Sequence, residues 1–302
     1  MEIRFDEQVA IVTGAGRGLG RSHAIAMASK GAKVVVNDFS GSNEISENAK
    51  SVVQEITSAG GEAIAHGANV ANFDQVQSMV NETIDKWGRV DILVNNAGIL
   101  RDKTFLKMSV EDMREVIDVH LMGSLNCSKA VWEIMREQSY GRIVLTSSSS
   151  GLYGNFGQTN YGAAKMAMVG IMNTLHLEGM KYNIKVNCLA PTAGTAMTDG
   201  LFPEPVFKLM PPESVSPGVV FLCSEDAPSR KVLAAGGGSF AIFKGFETEG
   251  VNLLPDELSA ESVAKYWDKI DSENNMQEPQ SGSAQSQKFA MQAAKKLGLD
   301  LS

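Results

Sequence analysis

Cysteine, histidine, clustered basic charge and long apolar runs are all scarce in this chain of 302 residues. The three cysteines, Cys127, Cys188 and Cys223, are an odd number at wide spacing, which excludes a disulfide framework and a thiolate zinc site. The four histidines, His23, His66, His120 and His176, form no HxxxH or HExxH pair, so no metal is expected. The 27 basic residues are outnumbered by 35 acidic ones, for a net charge of −8, and no Lys/Arg-rich run stands out, which argues against a nucleic-acid partner. No apolar stretch approaches the ~18–20 residues of a membrane span. The N-terminus, MEIRFDEQVA, lacks the apolar core behind a basic start that a signal peptide requires. Apolar residues at 43 % and charged residues at 21 % exclude disorder of the whole chain. An intracellular globular protein is expected, of a length that suits one large α/β domain or two small ones.

What is present is alternation. Short β-branched runs fall at 9–13 (VAIVT), 33–37 (KVVVN), 62–66 (EAIAH), 91–95 (DILVN), 142–147 (RIVLTS) and 184–189 (IKVNCL), with a weaker run at 239–243 (SFAIF). Helical patterns lie between them, near 18–30, 44–59, 72–87, 109–138, 159–180 and 214–223. This spacing predicts βαβ units on a parallel sheet of about seven strands. Runs such as VVV and IVLT are apolar on both faces, as a sheet covered by helices on both sides needs. After Gly250 the pattern changes. A helix is predicted over 259–270, with Ser259 as N-cap and Ala264, Trp267 and Ile270 on one face, able to cover its own domain or a partner subunit. Residues 272–287 read as a polar linker, and KFAMQAAKKLGLD as a short helix. The predicted division is a domain over 1–250 and an extension over 251–302.

The first strand runs straight into Thr13-Gly14-Ala15-Gly16-Arg17-Gly18-Leu19-Gly20, and a helix pattern follows at once. That context marks the doubly wound Rossmann type of dinucleotide site. Glycines allow the sharp turn and a close approach of backbone N–H groups to a pyrophosphate, which the helix N-terminus then faces. Gly14, Arg17, Gly18, Leu19 and Gly20 are therefore cofactor candidates. A tight turn without a ligand is the alternative, and the second strand weighs against it. That strand ends in Asn37-Asp38, 24 residues after Gly14. A carboxylate there accepts from the adenine ribose hydroxyls and repels a 2′-phosphate, which favours NAD over NADP, although Arg17 offsets part of the repulsion. Asn69-Val70 follow the third strand and Asn96-Ala97-Gly98 close the fourth, all at strand carboxyl ends, where such sheets bind ligands.

Of five tyrosines only Tyr161 has a lysine four residues on, Lys165, a spacing that puts both on one helix face. Ser148 ends the strand RIVLTS, 13 residues before Tyr161, within the run of serines at 147–150. Oxidising an alcohol by hydride transfer needs a base for the hydroxyl proton. Tyrosine titrates near 10, and lowering it by ~2–3 units takes ~3–4 kcal/mol of preferential stabilisation of the phenolate. A nearby ammonium and a positive nicotinamide both act in that direction. The expected roles are Tyr161 as base, Lys165 as the group that lowers its pKa and contacts the cofactor, and Ser148 as the group that positions the substrate oxygen.

At this point the residues resemble the short-chain dehydrogenase/reductase family. The resemblance spans roughly residues 6–245 and rests on TGAGRGLG, NNAG, the Ser148/Tyr161/Lys165 set and IKVNCLAP. The stretches VVVND, NNAGILRDKTF, VHLMGS, SGLYGNFGQTNYGAAK, LAPTAGTAMT and YWDKIDSENNMQEPQ look like the (3R)-hydroxyacyl-CoA dehydrogenase domains of peroxisomal multifunctional enzymes. The resemblance implies NAD-dependent oxidation of (3R)-3-hydroxyacyl-CoA to 3-ketoacyl-CoA in a homodimer. It adds Ala193, Gly194 and Thr195 to the cofactor contacts and places Ser148 and Tyr161 at the substrate. It also implies a rival substrate, a 17β-hydroxysteroid or steroid side-chain CoA ester. A nucleotide-binding protein without turnover is an alternative of another class, and the intact Ser148/Tyr161/Lys165 set argues against it.

Two departures matter. Most of the family carries Asn where this chain has His120, and that Asn helps hold a water that touches the lysine; a structural role for His120 is favoured over an acid/base role. The C-terminal residues do not match a Ser-Lys-Leu peroxisomal address, which favours a free-standing cytoplasmic protein. Arg101, Lys103 and Lys107 read as a solvated basic loop, with contact to CoA phosphates as the alternative. Met197, Phe202, Phe207 and Met210 read equally as an adaptable substrate lid or as core.

Overall fold

The computed structural model describes residues 2–42, 44–198, 200 and 203–299. It divides into two compact units, Met1–Phe243 and Lys244–Ser302. The first unit carries β1 (Val9–Thr13), α1 (Gly18–Ser29), β2 (Lys33–Asn37), α2 (Glu47–Ser58), β3 (Glu62–His66), α3 (Phe73–Trp87) and β4 (Ile92–Asn95). Then come α4 (Val110–Ile117), α5 (Gly123–Gln138), β5 (Gly141–Thr146), α6 (Ser149–Tyr153), α7 (Thr159–Gly179) and β6 (Ile184–Pro191). The unit closes with α8 (Glu204–Lys208), α9 (Ser216–Cys223), β7 (Val232–Gly236) and β8 (Ser239–Phe243).

The strands form one sheet in the order β3-β2-β1-β4-β5-β6-β7-β8. Every pairing is parallel except that of β8 with β7. The order reverses between β1 and β4, which opens a crevice at their carboxyl ends. Alternate strand residues feed two cores. Ala10, Val12, Val34, Val36, Ile92 and Val94 pack with residues of α1, α2 and α9. Ile11, Val35, Leu93, Ile143 and Leu145 pack with residues of α3, α5 and α7. Each fully buried Val, Leu or Ile stabilises the fold by ~1.5–3 kcal/mol relative to exposure, so strands apolar on both faces hold both helical layers. The three cysteines are free and buried in these layers.

The sheet has an eighth strand where about seven were predicted. β7 is the addition, and its VLAAG sequence, poor in β-branched residues, gives little strand signal. It turns into β8 through Gly237-Gly238, both at positive φ (55° and 76°), as a two-residue hairpin requires. The stretch predicted as one helix over 109–138 is interrupted by a π-helical turn, Asp118–Met122, between α4 and α5.

In the second unit the helix predicted over 259–270 breaks at Tyr266 into α10 (Ala260–Lys265) and α11 (Trp267–Ile270). Trp267, expected to anchor it, is 56 % exposed. The polar stretch expected as a linker to 287 is helical from 282, because α12 (Gly282–Leu297) starts on Ser281, whose Oγ accepts from the Ala284 N–H at 3.2 Å. Among the described residues no helix is long and apolar enough to cross a membrane.

The carboxyl ends of β1 and β4 are tied together at the crevice. Thr13 Oγ1 accepts from the backbone N–H groups of Asn96 and Ala97, both at 3.0 Å. Asn96 Nδ2 donates to the carbonyls of Thr13 at 2.9 Å and Gly14 at 3.1 Å. Thr13 is 1 % exposed, so removing its oxygen leaves two N–H groups without an acceptor. Thr13→Val, which keeps the shape, is expected to lower stability by about 1–3 kcal/mol. The check is the urea unfolding midpoint, and an unchanged midpoint would remove the clamp from the account.

Candidate active site

The glycine turn closes on its neighbours so tightly that side chains have no room. A Cβ at Gly14 would stand 2.8 Å from Ala97 Cα; one at Gly16 would collide with the Asp38 carboxylate, and one at Gly20 with the Gly14 carbonyl. Gly14 and Gly18 also take positive φ (60° and 54°). Arg17 stands at the N-cap of α1 in extended conformation without capping through its side chain, so among the described residues the first-turn N–H groups of Gly18, Leu19 and Gly20 have no side-chain acceptor. From across the crevice the loop after β6 approaches: a Cβ at Gly18 would lie 3.4 Å from Thr195 Cγ2. Ala193 and Thr195 are braced by the Thr198 hydroxyl, which donates to the Ala193 carbonyl at 2.7 Å and accepts from the Thr195 N–H at 2.9 Å, while the Gly194 N–H donates to the Met210 carbonyl at 2.6 Å.

Asp38 sits just past β2, with Oδ2 accepting from the Ser46 hydroxyl at 2.7 Å; among the described residues nothing donates to Oδ1. Asn69 and Val70 lie after β3, where Asn69 Oδ1 accepts from the Ala71 N–H at 3.0 Å and the Val70 carbonyl accepts from Asn126 Nδ2 at 2.9 Å. Uncapped helix donors, a glycine cradle that Cβ atoms would fill and a carboxylate with an open oxygen fit a dinucleotide. The amide of Asn96 is committed to the clamp with Thr13 and Gly14, so its part in this cradle is to hold the turn. Thr13, Ser46 and Asn126 support the crevice but have no sequence signal, since each partner lies in another element.

Ser148, Tyr161 and Lys165 come together at the carboxyl end of β5. Ser147 turns inward, its hydroxyl donating to the Lys165 carbonyl at 2.8 Å, whereas Ser148 caps α6, its Oγ accepting from the Ser150 N–H at 3.2 Å. Which serine of the run faces Tyr161 is thereby decided in favour of Ser148. The Lys165 ammonium is buried, donates to the Thr146 carbonyl at 2.7 Å and lies 5.5 Å from the centre of the Tyr161 ring. Burial pushes its pKa down to about 7, with the Cys188 thiol opposing. Burial also pushes the Tyr161 phenol above its ordinary value; the Ser148 hydroxyl pulls it back and Asp102 adds to the rise. The protein by itself thus does not lower this phenol, contrary to the effect anticipated from Lys165.

His120 projects from the π-helical turn against the same tyrosine, ring centres 5.1 Å apart and nearly perpendicular. A Cβ at Gly98 would overlap its Cε1, so that glycine serves the imidazole. Burial, with the charge of Lys165 adding to it, pushes the His120 pKa down to about 3, which keeps the ring neutral.

At the mouth, Arg101 pairs with Glu115 at 2.9 Å and Lys103 with Asp112 at 2.9 Å, so two cations of the basic loop are already matched. Gln158, which donates to Asp102 at 2.6 Å, ties this loop to the start of α7, a contact across 56 positions with no local signature. Of the lid candidates, Met197 is 41 % exposed and Phe207 and Met210 are half-buried, so these three are not core; Phe202 lies outside the described residues. A separate cleft of about 690 Å³ is lined by residues including Arg21, Ser22, Lys30 and Ser216 and touches none of the residues above.

The short chain dehydrogenase family model matches residues 8–204. A short-chain type dehydrogenase/reductase of Mycobacterium tuberculosis is 46 % identical over 269 residues, covering 87 % of this chain and 94 % of that protein. The solved full-length peroxisomal multifunctional enzyme type 2 of Drosophila melanogaster superposes with a TM-score of 0.83 at 36 % identity, covering 98 % of this chain and 51 % of that one, so the chain spans about half of that relative. A 7α-hydroxysteroid dehydrogenase solved with NADH and a 7-oxo bile acid has a TM-score of 0.72 at 31 % identity, covering 79 % of this chain and 96 % of that one. The crevice geometry and these matches agree: the chain belongs to the short-chain dehydrogenase family, oxidoreductases that use a nicotinamide cofactor.

Proposed function

We propose that the protein oxidises (3R)-3-hydroxyacyl-CoA esters to 3-ketoacyl-CoA with NAD, as a cytoplasmic homodimer. In this reading residues 1–250 carry cofactor binding and catalysis, and 251–302 form an extension. The observation that carries it is the cluster of Ser148, Tyr161 and Lys165 at the end of β5, beside the crevice that Asp38 borders. The likeness to the Drosophila multifunctional enzyme over nearly the whole chain supports the substrate class.

Gly14, Gly18, Leu19, Gly20 and the 193–195 loop would hold the pyrophosphate and nicotinamide side, with Ala97 and Gly98 lining the crevice, Asn69 and Val70 at the adenine side and Asp38 on the ribose hydroxyls. When bound, the oxidised nicotinamide supplies the hydride acceptor and a positive charge beside the phenol. Ser148 donates to or accepts from the substrate hydroxyl and fixes its distance from Tyr161. Tyr161 Oη takes the hydroxyl proton. Lys165, as ammonium, stabilises the phenolate and holds the nicotinamide ribose. Burial raises the phenol, and a cation beside it acts in the opposite direction.

A steroid alcohol is the second reading. A structural neighbour binds an oxo-steroid acid, and Tyr153 and Phe156, at the loop before α7, are 72 % and 89 % exposed, an apolar rim open to a bulky substrate.

The first test is NADH formation from NAD with resolved (3R)- and (3S)-3-hydroxyacyl-CoA esters of short and long chain and a hydroxysteroid. Turnover confined to the 3R thioesters is expected, and turnover on the steroid alone would replace the substrate assignment. Tyr161→Phe is expected to keep NAD affinity within about threefold and to cut kcat by 10²–10⁴ or so; near wild-type turnover would sink the mechanism. Asp38→Ala is expected to narrow the ratio of kcat/KM for NAD over NADP by about tenfold or more, with exposed Arg17 left to favour the 2′-phosphate. An unchanged ratio would remove Asp38 from the ribose.

A further inference from the structure

Asp38 is pinned along its backbone and held at its side chain by one group. Its N–H donates to the His66 carbonyl at 3.0 Å, and the Asn37 amide beside it donates to the Ala68 carbonyl at 2.9 Å, so the end of β2 is tied to the chain after β3. The side chain meets Ser46, whose hydroxyl stands between two partners. It accepts from the Ala49 N–H at 3.0 Å, as the N-cap of α2, and lies 2.7 Å from Asp38 Oδ2. An ionised carboxylate accepts and does not donate, so the single hydroxyl proton goes to Asp38. A hydrogen bond to an ionised acceptor is stronger than one between neutral groups. Ser46 is 7 % exposed, so water competes little for its hydroxyl.

Eight positions separate the two residues, and the chain between them folds back to bring them together. Phe39 and Ile45 form an antiparallel bridge, and the Ser40 hydroxyl donates to the Glu44 carbonyl at 3.0 Å. Gly67 makes room for this return, because a Cβ there would stand 3.0 Å from the Glu44 carbonyl oxygen. The glycine turn closes the other side: a Cβ at Gly16 would meet the Asp38 carboxylate and, at 2.8 Å, Asn48 Cβ. Oδ2 is thus enclosed by Gly16 and Ser46, and Oδ1 is the oxygen left open. We propose that Ser46 is a positioning residue that sets the dinucleotide preference of this crevice. By holding Oδ2 it keeps the carboxylate in one orientation, with Oδ1 presented to the adenine ribose hydroxyls and the charge held against a 2′-phosphate. This rests on the reading of Asp38 as the ribose ligand. Once released, the side chain has to be ordered when the ribose binds, and it is free to turn away from a 2′-phosphate. Both effects narrow the preference for NAD.

Ser46 also caps α2, and the variants separate the two roles. Ser46→Gly removes the donor, while a glycine N-cap costs the helix little. Ser46→Ala removes the donor without adding backbone freedom, and Ser46→Thr keeps both donor and cap. The measurement is the dissociation constant of NAD and of NADP by titration calorimetry, with no alcohol present. In Ser46→Gly and Ser46→Ala the constant for NAD is expected to rise about three- to tenfold and that for NADP to stay level or fall. Ser46→Thr is expected to keep the wild-type ratio. In an Asp38→Ala background, Ser46→Gly is expected to leave the ratio unchanged, because the serine acts through the carboxylate. Loss of the cap alone would lower the melting temperature and weaken both dinucleotides alike. A folded Ser46→Gly protein with the wild-type ratio, or an equal change of ratio in the Asp38→Ala background, would overturn the proposal. Wild-type protein that binds neither dinucleotide, or NADP as tightly as NAD, would overturn the ribose reading of Asp38 and the proposal with it.

Discussion

Lys165 places an ammonium inside the protein where, among the described residues, the Thr146 carbonyl is its one acceptor and no carboxylate pairs with it. An isolated buried cation is unfavourable enough to shift its own pKa, here down to about 7, unless the surroundings are built to hold it. Much of the site is that surrounding. β5 supplies the carbonyl, the Ser147 hydroxyl grips the lysine backbone, and α6 packs so closely that a Cβ on Gly151 would stand 2.8 Å from the Lys165 backbone. Ser148 caps α6 on the same edge.

The crevice and the Ser148, Tyr161 and Lys165 cluster are connected through the turn after β4. Thr13 and Asn96 clamp that turn to the glycine loop, Gly98 leaves room for the His120 ring, and the ring meets Tyr161. The glycine turn and Tyr161 are therefore parts of one edge, where several strands end at the same level because the sheet is parallel.

The second unit is tied together by its own polar contacts, including the Lys288 ammonium on Glu247 at 2.8 Å and an antiparallel bridge between Glu247 and Gln277. Residues 272–287 read as a linker because hydrophilic residues dominate, yet helix α12 begins at Gly282, inside that stretch. The run rich in alanine and lysine reads as a short helix, but its start at the Ser281 N-cap is obscured by the Pro and Gly on either side of that serine.

The sequence by itself determines the parallel α/β sheet, the glycine turn at the end of β1, the carboxylate after β2 and the Tyr161/Lys165 spacing. Each of these is a local pattern: two-faced apolar strands, a turn only glycine fits, two residues one helical turn apart. What the tertiary structure decides is of another kind. It selects Ser148 from a run of serines, matches Arg101 and Lys103 with acids on α4, adds β7 to the sheet, and breaks one long helix with a π turn so that His120 faces Tyr161. It also reverses the expected direction for the Tyr161 phenol, because burial depends on every layer packed around the ring. Desolvation and long-range hydrogen bonds are properties of residues far apart in the chain, and no spacing along it encodes them.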